Sequence, residues 1–425
     1  MVLAIAGSLI VGSFAGNTSL QSAEAKTPQS NKKVENVIFM IPDGYSSAYA
    51  TNYRLYKGEE SVMDPHLVGM HRTYSANSEV TDSAAAGTAM ATGKKTNNGI
   101  ISIDPAGNEL NTILEAAEKS GKSSGLVATS TITHATPAVF ASHVESRADE
   151  KDIAPQLLQN DVDVILGGGK KYFSDKLLNQ AEKDGYEIVS DTKSLNNIEK
   201  TDKLIGLFAD DSLSPELDRK TTDEPSLKEM TSAAINVLNN DKDGFFLMVE
   251  GSQIDWAGHA NDAAWAMKET EAFESAVEEA LDFAKKDKKT LVVIAGDHDT
   301  GGMSVGGYEG SGANLDILKN VTATGDFMAS QLNKEKNNIQ EVVLQYTGIS
   351  LSETEVNEIK QASDPAIQIN SIISKHALVG WTHTGHTGTD IPVYAYGPQA
   401  HNFAGLIENT DFPKLMAEAM KIPFE

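Results

Sequence analysis

The segment that decides the fold is Phe245-Phe-Leu-Met-Val249 followed by Glu250-Gly-Ser-Gln-Ile-Asp255-Trp-Ala-Gly-His259. The apolar run predicts a buried strand, and three potential metal ligands follow where such a strand would end, which is where open α/β sheets bind ligands. Asp255 and His259 are four residues apart, so a helix would present both on one face. A carboxylate beside an imidazole suits zinc or another borderline divalent metal. A surface ion pair is the simpler interpretation of this pair alone, so the prediction depends on ligands elsewhere.

Composition excludes several functional classes. The chain has 425 residues, of which 40% are hydrophobic, and it carries a formal net charge of −25. A chain of this length can bury a large core, and its acidity argues against a nucleic-acid-binding role because phosphate backbones require a basic face. The sequence contains no cysteine, which excludes disulfides, thiolate zinc sites and a cysteine nucleophile.

The first 25 residues predict an export signal. Residues 2–16 are apolar and rich in small side chains, Ala23-Glu-Ala25 is a cleavage pattern, and a polar stretch follows, although a basic n-region is missing. We therefore predict a signal peptide over 1–25 and a mature domain over 26–425 that is secreted, periplasmic or at the cell surface. No later run is apolar for long enough to span a bilayer, so the mature chain is predicted to have no membrane span.

Strand and helix signals alternate along the mature chain. Strand-like apolar runs lie at 37–41, 124–129, 162–166, 245–249, 291–295 and 391–396, with helical patterns between them that include 83–92, 226–239 and 262–286. This alternation predicts an α/β fold with a large, mostly parallel central sheet and helices on both faces. Over about 302–379 helical patterns replace strand signals, which predicts a mostly helical insertion of unknown role. The polar stretch 191–203 is predicted to be a loop.

Further metal ligands follow other predicted strands. Gly296-Asp297-His298 follows the strand at 291–295, and Asp43 follows the first strand in the same way. Near the C-terminus lies Trp381-Thr-His383-Thr-Gly-His386-Thr-Gly. Because the carboxyl ends of parallel strands meet at one edge of a sheet, these segments are predicted to converge with the opening segment. His383 and His386 both begin His-Thr-Gly, so the motif alone does not decide between them.

Ser83 is the candidate nucleophile. It lies in Thr81-Asp82-Ser83-Ala84-Ala85 at the start of an Ala-rich helical pattern, where an isolated serine would most often be an N-cap. The same helix N-terminus suits a phosphate, because backbone N–H groups point at it. A metal ion beside the hydroxyl would lower its pKa and activate it without a histidine base. Arg147 can clamp two phosphate oxygens with its planar guanidinium, although alone it would be interpreted as a surface arginine.

Together these residues carry a family resemblance. The sequence strongly resembles the alkaline phosphatases at Pro42-Asp43-Gly44, Asp82-Ser83-Ala84, Thr136-Pro-Ala138 with Arg147, Val249-Glu250-Gly251 with Asp255 and His259, Gly296-Asp297-His298 and His386-Thr-Gly388. The order also matches, from about Asn36 to Pro398. The resemblance implies a homodimer that hydrolyses phosphate monoesters at alkaline pH through a phosphoserine, with two Zn²⁺ and one Mg²⁺ per subunit.

The resemblance also implies a role for each site residue. The implied ligands are Asp255, His259 and His386 for the first zinc, Asp43, Asp297 and His298 for the second, and Asp43, Thr136 and Glu250 for the third metal. His386 is selected over His383 because the family's ligand lies ten residues before the Tyr of a closing Tyr396-Gly-Pro398. Ser83 would attack phosphorus, Arg147 would hold the phosphate, and Asp82 would orient Arg147.

Two positions behind the ligands depart from the best-known bacterial pattern of the family. His134 stands where that pattern has Asp, and Trp256 stands where it has Lys. An imidazole at the third site weakens the case for magnesium and admits zinc or cobalt. A tryptophan cannot hold phosphate through water as a lysine would, so we predict faster product release.

Two classes of alternative stay open. One is another enzyme of the same superfamily, such as a phosphodiesterase or a cofactor-independent phosphoglycerate mutase. The diesterases typically use Thr as the nucleophile and lack the third-metal Glu, and the mutases are cytosolic. The other is a secreted protein that binds phosphate or metal without catalysis. The presence of Ser83 and Arg147 argues against this non-catalytic alternative.

Overall fold

The computed structural model describes residues 33–308 and 312–425, so the predicted signal peptide, residues 1–25, lies outside the described residues. The strands within those ranges are β1 (Asn36–Pro42), β2 (Leu67–Arg72), β3 (Ser123–Thr131), β4 (Val164–Gly168), β5 (Glu187–Val189), β6 (Leu204–Leu207), β7 (Phe245–Gly251), β8 (Thr290–Ala295), β9 (Asp299–Thr300), β10 (Ser304–Val305), β11 (Val379–Gly380), β12 (His386–Thr387), β13 (Ile391–Tyr396) and β14 (Gly405–Glu408). The α-helices are α1 (Ser47–Lys57), α2 (Ser83–Thr92), α3 (Ile113–Lys119), α4 (Ala135–Ala141), α5 (Glu150–Gln159), α6 (Asp175–Lys183), α7 (Thr192–Asn196), α8 (Leu227–Leu238), α9 (Gln253–His259), α10 (Ala263–Asp287), α11 (Gly325–Ser330), α12 (Ile339–Thr347), α13 (Glu353–Gln361), α14 (Pro365–Ala377) and α15 (Phe412–Met420).

Ten strands of the described ranges form one sheet in the order β14-β2-β13-β8-β1-β7-β3-β4-β6-β5. Adjacent strands are parallel except at β13, which runs antiparallel to both β8 and β2. The predicted large, mostly parallel sheet is confirmed. The direction of β13 was not predicted, because a short apolar strand has the same hydrophobic pattern in either direction.

Helices cover both faces of the sheet, as the sequence predicted. Alternate side chains of β1 enter different core layers: Ile38 and Met40 pack with residues of α8 and α10, whereas Val37, Phe39 and Ile41 pack with residues of α2, α4 and α15. This alternation follows from the two-residue period of a strand, and burial on both faces explains why β1 is a continuous apolar run.

Helix α2 is buried along its whole length, which its small side chains allow. Gly87 packs against Val139 of α4, where an added Cβ would come within 2.9 Å of a Val139 methyl carbon. Asp82 is the N-cap of α2 and accepts a hydrogen bond from Ala85 N at 3.0 Å. Ser83 is therefore the first helical residue, and the N-cap interpretation of Ser83 is wrong. Its hydroxyl is not used in capping.

The predicted insertion contains the four helices α11 to α14. The most buried of these is α14, which contributes Ile369, Ile372 and Ile373 to one core layer. The stretch 191–203 was predicted to be a loop, but it contains α7, because Asp191 and Ser194 form a capping box at its start. Within residues 33–308 and 312–425, no helix combines the length and apolarity needed to cross a bilayer.

Candidate active site

Three adjacent strands bring predicted ligands to one edge of the sheet. β1 lies between β7 and β8, with Pro42 opposite Gly251 and Met40 opposite Ile294. Asp43 follows β1, Glu250 is the penultimate residue of β7, and Asp297 follows β8. Because all three strands run in the same direction, their carboxylates emerge at the same level, where open α/β sheets bind ligands.

Asp43, Asp297 and His298 form a completely buried group, and their ligand atoms could surround one metal ion. His298 Nε2 lies 3.2 Å from Asp297 Oδ2 and 3.6 Å from Asp43 Oδ1. Burial, together with the charge of neighbouring carboxylates, raises the pKa of Asp297 to about 6 and that of Asp43 well above its usual range. Ser83 Oγ lies 3.1 Å from His298 Nε2, so the predicted nucleophile adjoins this group.

Asp255, His259 and His386 form a second group with metal-binding geometry. The Nε2 atoms of the two histidines lie 3.1 Å apart, and the carboxylate of Asp255 is 3.4 Å from each. The outer nitrogens are held by backbone carbonyls: His259 Nδ1 by Thr384 O at 2.6 Å, and His386 Nδ1 by Thr81 O at 2.9 Å. These contacts place the proton on Nδ1 and direct both Nε2 lone pairs inward, which is how metal-ligating histidines are usually oriented.

A third group joins Asp43 and Glu250 to His134. The sequence predicted Thr136 as the third ligand here and placed His134 behind the ligands. In the structure Thr136 Oγ1 donates to Asp43 Oδ2 at 3.3 Å, and a ring nitrogen of His134 also lies within 4.8 Å of carboxylate oxygens of both acids. Burial, and to a lesser extent the charge of Asp297, raises the pKa of Glu250 to about 7.

Arg147 lies between the helix N-terminus and the third group. Its Nη1 donates to Asp82 Oδ2 at 3.1 Å, and its Nη2 lies 3.1 Å from His134 Nε2. A guanidinium can only donate, so His134 Nε2 accepts and the ring proton is on Nδ1. Burial and the Arg147 charge lower the pKa of His134 to about 4, which keeps the ring neutral. Trp256 packs edge-on against this ring, with centroids 5.9 Å apart.

Comparison with known proteins places this site in a family. A family model described as "Alkaline phosphatase" matches residues 34–422. The chain belongs to the alkaline phosphatase family. Alkaline phosphatase 3 of Bacillus subtilis is 43% identical, over 99% of this chain and 96% of the relative. A cold-active alkaline phosphatase from the psychrophile Shewanella sp. has a similar structure, with a TM-score of 0.85 and 36% identity over 91% of this chain and 99% of that one.

A second similar structure is a variant of the alkaline phosphatase from the Antarctic bacterium TAB5, in which a His is replaced by Asp and Mg is bound in the M3 site. It has a TM-score of 0.71 and 29% identity, over 92% of this chain and 99% of that one. The chain is thus an alkaline phosphatase, a metal-dependent phosphoric monoester hydrolase, and the three groups described above are its candidate metal sites.

The carboxylate oxygens of these three groups are suited to bind cations. Asp43 Oδ1, Asp297 Oδ2 and Glu250 Oε1 are buried and have no hydrogen-bond partner among the described residues. A buried carboxylate oxygen without a donor is stable only when it is protonated or bound to a cation. Imidazole with carboxylate suits zinc in the first two groups, and the two carboxylates of the third group suit a harder metal.

Thr300 is a site residue that sequence reasoning missed. Its hydroxyl donates to Asp255 Oδ1 and lies 3.3 Å from His298 Nδ1, so it contacts a ligand of each of the first two groups. Tyr49 in turn donates to Thr300 O at 2.6 Å. Thr300 reaches this position because β9 pairs with β12, a two-residue ladder that has no detectable pattern in the sequence.

The choice between His383 and His386 is made by the turn between them. His386 pairs with Thr300 in the β9–β12 ladder and points into the first group. His383 is exposed, and its Nδ1 accepts a hydrogen bond from Gly385 N at 2.8 Å, so this ring stabilises the turn. The geometry therefore brings His386, and not His383, together with Asp255.

Proposed function

We propose that this chain is an exported enzyme that hydrolyses phosphate monoesters at alkaline pH through a phosphoserine formed on Ser83. The observation that carries the proposal is the position of Ser83 Oγ, 3.1 Å from His298 Nε2 at the edge of the second group. Arg147 is held by Asp82 at the same helix N-terminus, so nucleophile and phosphate clamp face one space.

A phosphate monoester fits this space through charge and geometry. The Arg147 guanidinium would hold two phosphate oxygens, and backbone N–H groups at the start of α2 would receive a third. Ser83 Oγ would form a bond to phosphorus while the bond to the ester oxygen breaks in line, and water would cleave the phosphoserine in a second displacement. When bound, zinc lowers the pKa of an attacking hydroxyl and stabilises charge on a leaving oxygen.

We propose two zinc ions, in the first and second groups, and one magnesium ion in the third, where His134 also admits zinc or cobalt. A metal ligand must present a lone pair. Ligation through His134 Nδ1 would move the ring proton to Nε2, which faces the donor-only guanidinium of Arg147, so ligation would compete with the Arg147–His134 hydrogen bond. Magnesium would instead bind Asp43, Thr136 and Glu250, with His134 behind them.

The titration of the site supports an alkaline working range. Burial is the main cause of the raised pKa values of Asp297, about 6, and Glu250, about 7. These carboxylates are therefore fully ionised ligands only above neutral pH. Competition between protons and metal ions falls as the pH rises, which favours the loaded site.

Export and a homodimer are part of the proposal. The predicted signal peptide supports export, and a secreted chain is expected to begin near Lys26, which N-terminal sequencing would test.

The homodimer is supported by exposed apolar side chains. The β14 edge of the sheet exposes Leu406 beside β2, where Leu67 is also exposed, and burial of these side chains would favour a dimer. Light scattering on the purified mature chain is expected to give twice the subunit mass, and a monomer would contradict this part.

The deciding experiment compares Ser83→Ala with Ser47→Ala. Both serines are the first residue of a helix whose N-cap is the preceding side chain, so the substitutions are matched in helix position, although Ser83 is buried and Ser47 is exposed. We expect wild type and Ser47→Ala to hydrolyse an aryl phosphate monoester at alkaline pH, far faster than an aryl diester, and chelator to abolish turnover. Ser83→Ala should lose at least about 10³-fold in kcat, because the nucleophile is absent.

Mass spectrometry of acid-quenched enzyme should find the phosphoryl group on Ser83. Undiminished turnover by Ser83→Ala would refute the assignment of the nucleophile. Stoichiometric phosphate binding by wild type without turnover would refute the catalytic proposal and favour the non-catalytic alternative.

A further inference from the structure

The two segments that carry the histidines of the first group both rest on one helix of the predicted insertion. His259 is the last residue of α9, and residues 260–262 lead from it into α10. His386 ends a loop that begins at Trp381. Helix α14 ends shortly before Trp381 and is more than 100 residues from the segment after His259, and its polar side chains contact both segments.

Ser374 of α14 joins the two segments through a single hydroxyl. The side chain is completely buried. Its Oγ donates to Asn261 O at 3.1 Å and accepts a hydrogen bond from Trp381 Nε1 at 3.0 Å. The indole can only donate and the carbonyl can only accept, so the direction of both bonds is determined, and the hydroxyl supplies both functions.

The insertion holds every residue of the short connection after His259. Asn370, four residues before Ser374 on the same face of α14, donates from Nδ2 to Ala260 O at 3.0 Å. Asp262 accepts from the backbone N of Gly325, in α11, at 3.1 Å. Between them, Asn261 has a φ of +49°, a left-handed conformation that asparagine tolerates better than most residues other than glycine.

A further hydrogen bond closes these contacts into a ring. His259 Nδ1 donates to Thr384 O, at 2.6 Å, within the loop between Trp381 and His386. The ring runs from Ser374 to Asn261, along the chain to His259, across to Thr384, along the loop to Trp381 and back to Ser374. The two histidine segments are thus tied at one end by the imidazole and at the other by the Ser374 hydroxyl.

We propose that Ser374 is a positioning residue for the first metal site, and that α14 of the insertion holds His259 and His386 at the separation that the metal requires. This proposal rests on the proposed function, in which the first group binds zinc. Partners directly behind metal ligands typically change metal affinity by about 10- to 100-fold. Ser374 acts one connection further back, so we expect an effect near the lower limit, about tenfold.

The test uses the zinc-loaded enzyme and four variants. Ser374→Ala removes the hydroxyl, and Ser371→Ala makes the same change at an exposed position of the same helix. Trp381→Phe removes the indole donor and keeps a ring in place, and the fourth variant combines Ser374→Ala with Trp381→Phe. The readout is the rate at which each zinc ion passes to a chromogenic chelator, together with the unfolding midpoint of the metal-free protein.

We expect Ser374→Ala to release one of its two zinc ions about tenfold faster than wild type, and Ser371→Ala to match wild type. Trp381→Phe should change the rate in the same direction. The double variant should release zinc no faster than Ser374→Ala, because both changes break the same connection. Such non-additivity would not arise from two independent losses of stability.

The proposal would be overturned if Ser374→Ala released zinc at the wild-type rate and differed from wild type only in a lower unfolding midpoint of the metal-free protein. Equal rates of zinc release from Ser371→Ala and Ser374→Ala would also overturn it. If Ser374→Ala does not fold, Trp381→Phe decides: faster release supports the proposal, and the wild-type rate overturns it. Failure of the proposed function is seen separately, as wild-type protein that binds no zinc or turns over no substrate.

Discussion

Replacing His134 with Asp should make the third group bind magnesium more tightly. His134 shares this group with Asp43 and Glu250. Its pKa is lowered to about 4, chiefly by burial and then by Arg147, so the ring is neutral at the working pH. The substitution adds one negative charge and a hard oxygen donor, both of which magnesium prefers over a neutral imidazole.

The size of the effect follows from the separation of the ligand atoms, which lie within 4.8 Å of one another. A divalent ion about 5 Å from one added carboxylate gains on the order of 7 kcal/mol at an effective dielectric constant of about 20. Much of this gain is offset, because a third carboxylate is hard to ionise beside Asp43 and Glu250 and because Arg147 competes for it. We expect a net gain of roughly 1.4 to 2.8 kcal/mol, which is about 10- to 100-fold tighter magnesium binding.

The assay is a magnesium titration of enzyme that already carries zinc in the first two groups, with the half-activating concentration as the readout. His134→Asn is the matched control, because it supplies an amide oxygen of similar size without the charge. Its half-activating concentration should change by less than about threefold. An unchanged value for His134→Asp, or an equal change for both variants, would refute the electrostatic reasoning.

Three further predictions concern phosphate release and pH. Trp256→Lys should lower the inhibition constant for orthophosphate about three- to tenfold, because a cation gains roughly 0.7 to 1.4 kcal/mol near the bound anion; Trp256→Leu should not, and equal inhibition of both would contradict this. Glu269 is 5% exposed, and burial followed by the charge of Glu216 raises its pKa to about 8. The stability that the protonated Glu269 contributes is complete below the pKa of the unfolded chain, about 4.5, and is lost as pH rises through about 8. The unfolding free energy of wild type should therefore fall between pH 5 and pH 9, and in Glu269→Gln this fall should be smaller by roughly 1 to 3 kcal/mol. Urea unfolding at three pH values checks this, and parallel curves for variant and wild type would contradict it. Burial likewise raises the pKa of Asp43 and of Asp297, the latter to about 6, so protonation stabilises the metal-free protein at low pH and this stability is lost as pH rises through that range. Chelation should therefore lower the thermal midpoint more at pH 8 than at pH 5, and an equal difference at both pH values would count against these carboxylates as ligands.

The sequence alone predicted the fold class and named the residues that the structure brings together in the first two groups. Continuous apolar runs indicated strands buried on both faces, and the residues directly after those runs indicated the sheet edge. Asp43 and Asp297 could be placed in this way because residues that directly follow parallel strands lie at the same edge of the sheet. Ser83 and Arg147 do not follow a predicted strand. Ser83 was proposed from its position at the start of a helical pattern, and the resemblance supplied the roles of both residues.

The tertiary structure decided the contacts that depend on pairings between distant segments. The antiparallel direction of β13, the contact between His134 and Arg147, and the position of Thr300 all depend on which segments meet. Hydrophobic periodicity reports only the face that a residue presents within its own helix or strand, and it carries no information about the partner of that face. Ser374 shows this most clearly: its sequence context is an ordinary amphipathic helix, and only the folded chain places its hydroxyl between the two segments that carry His259 and His386.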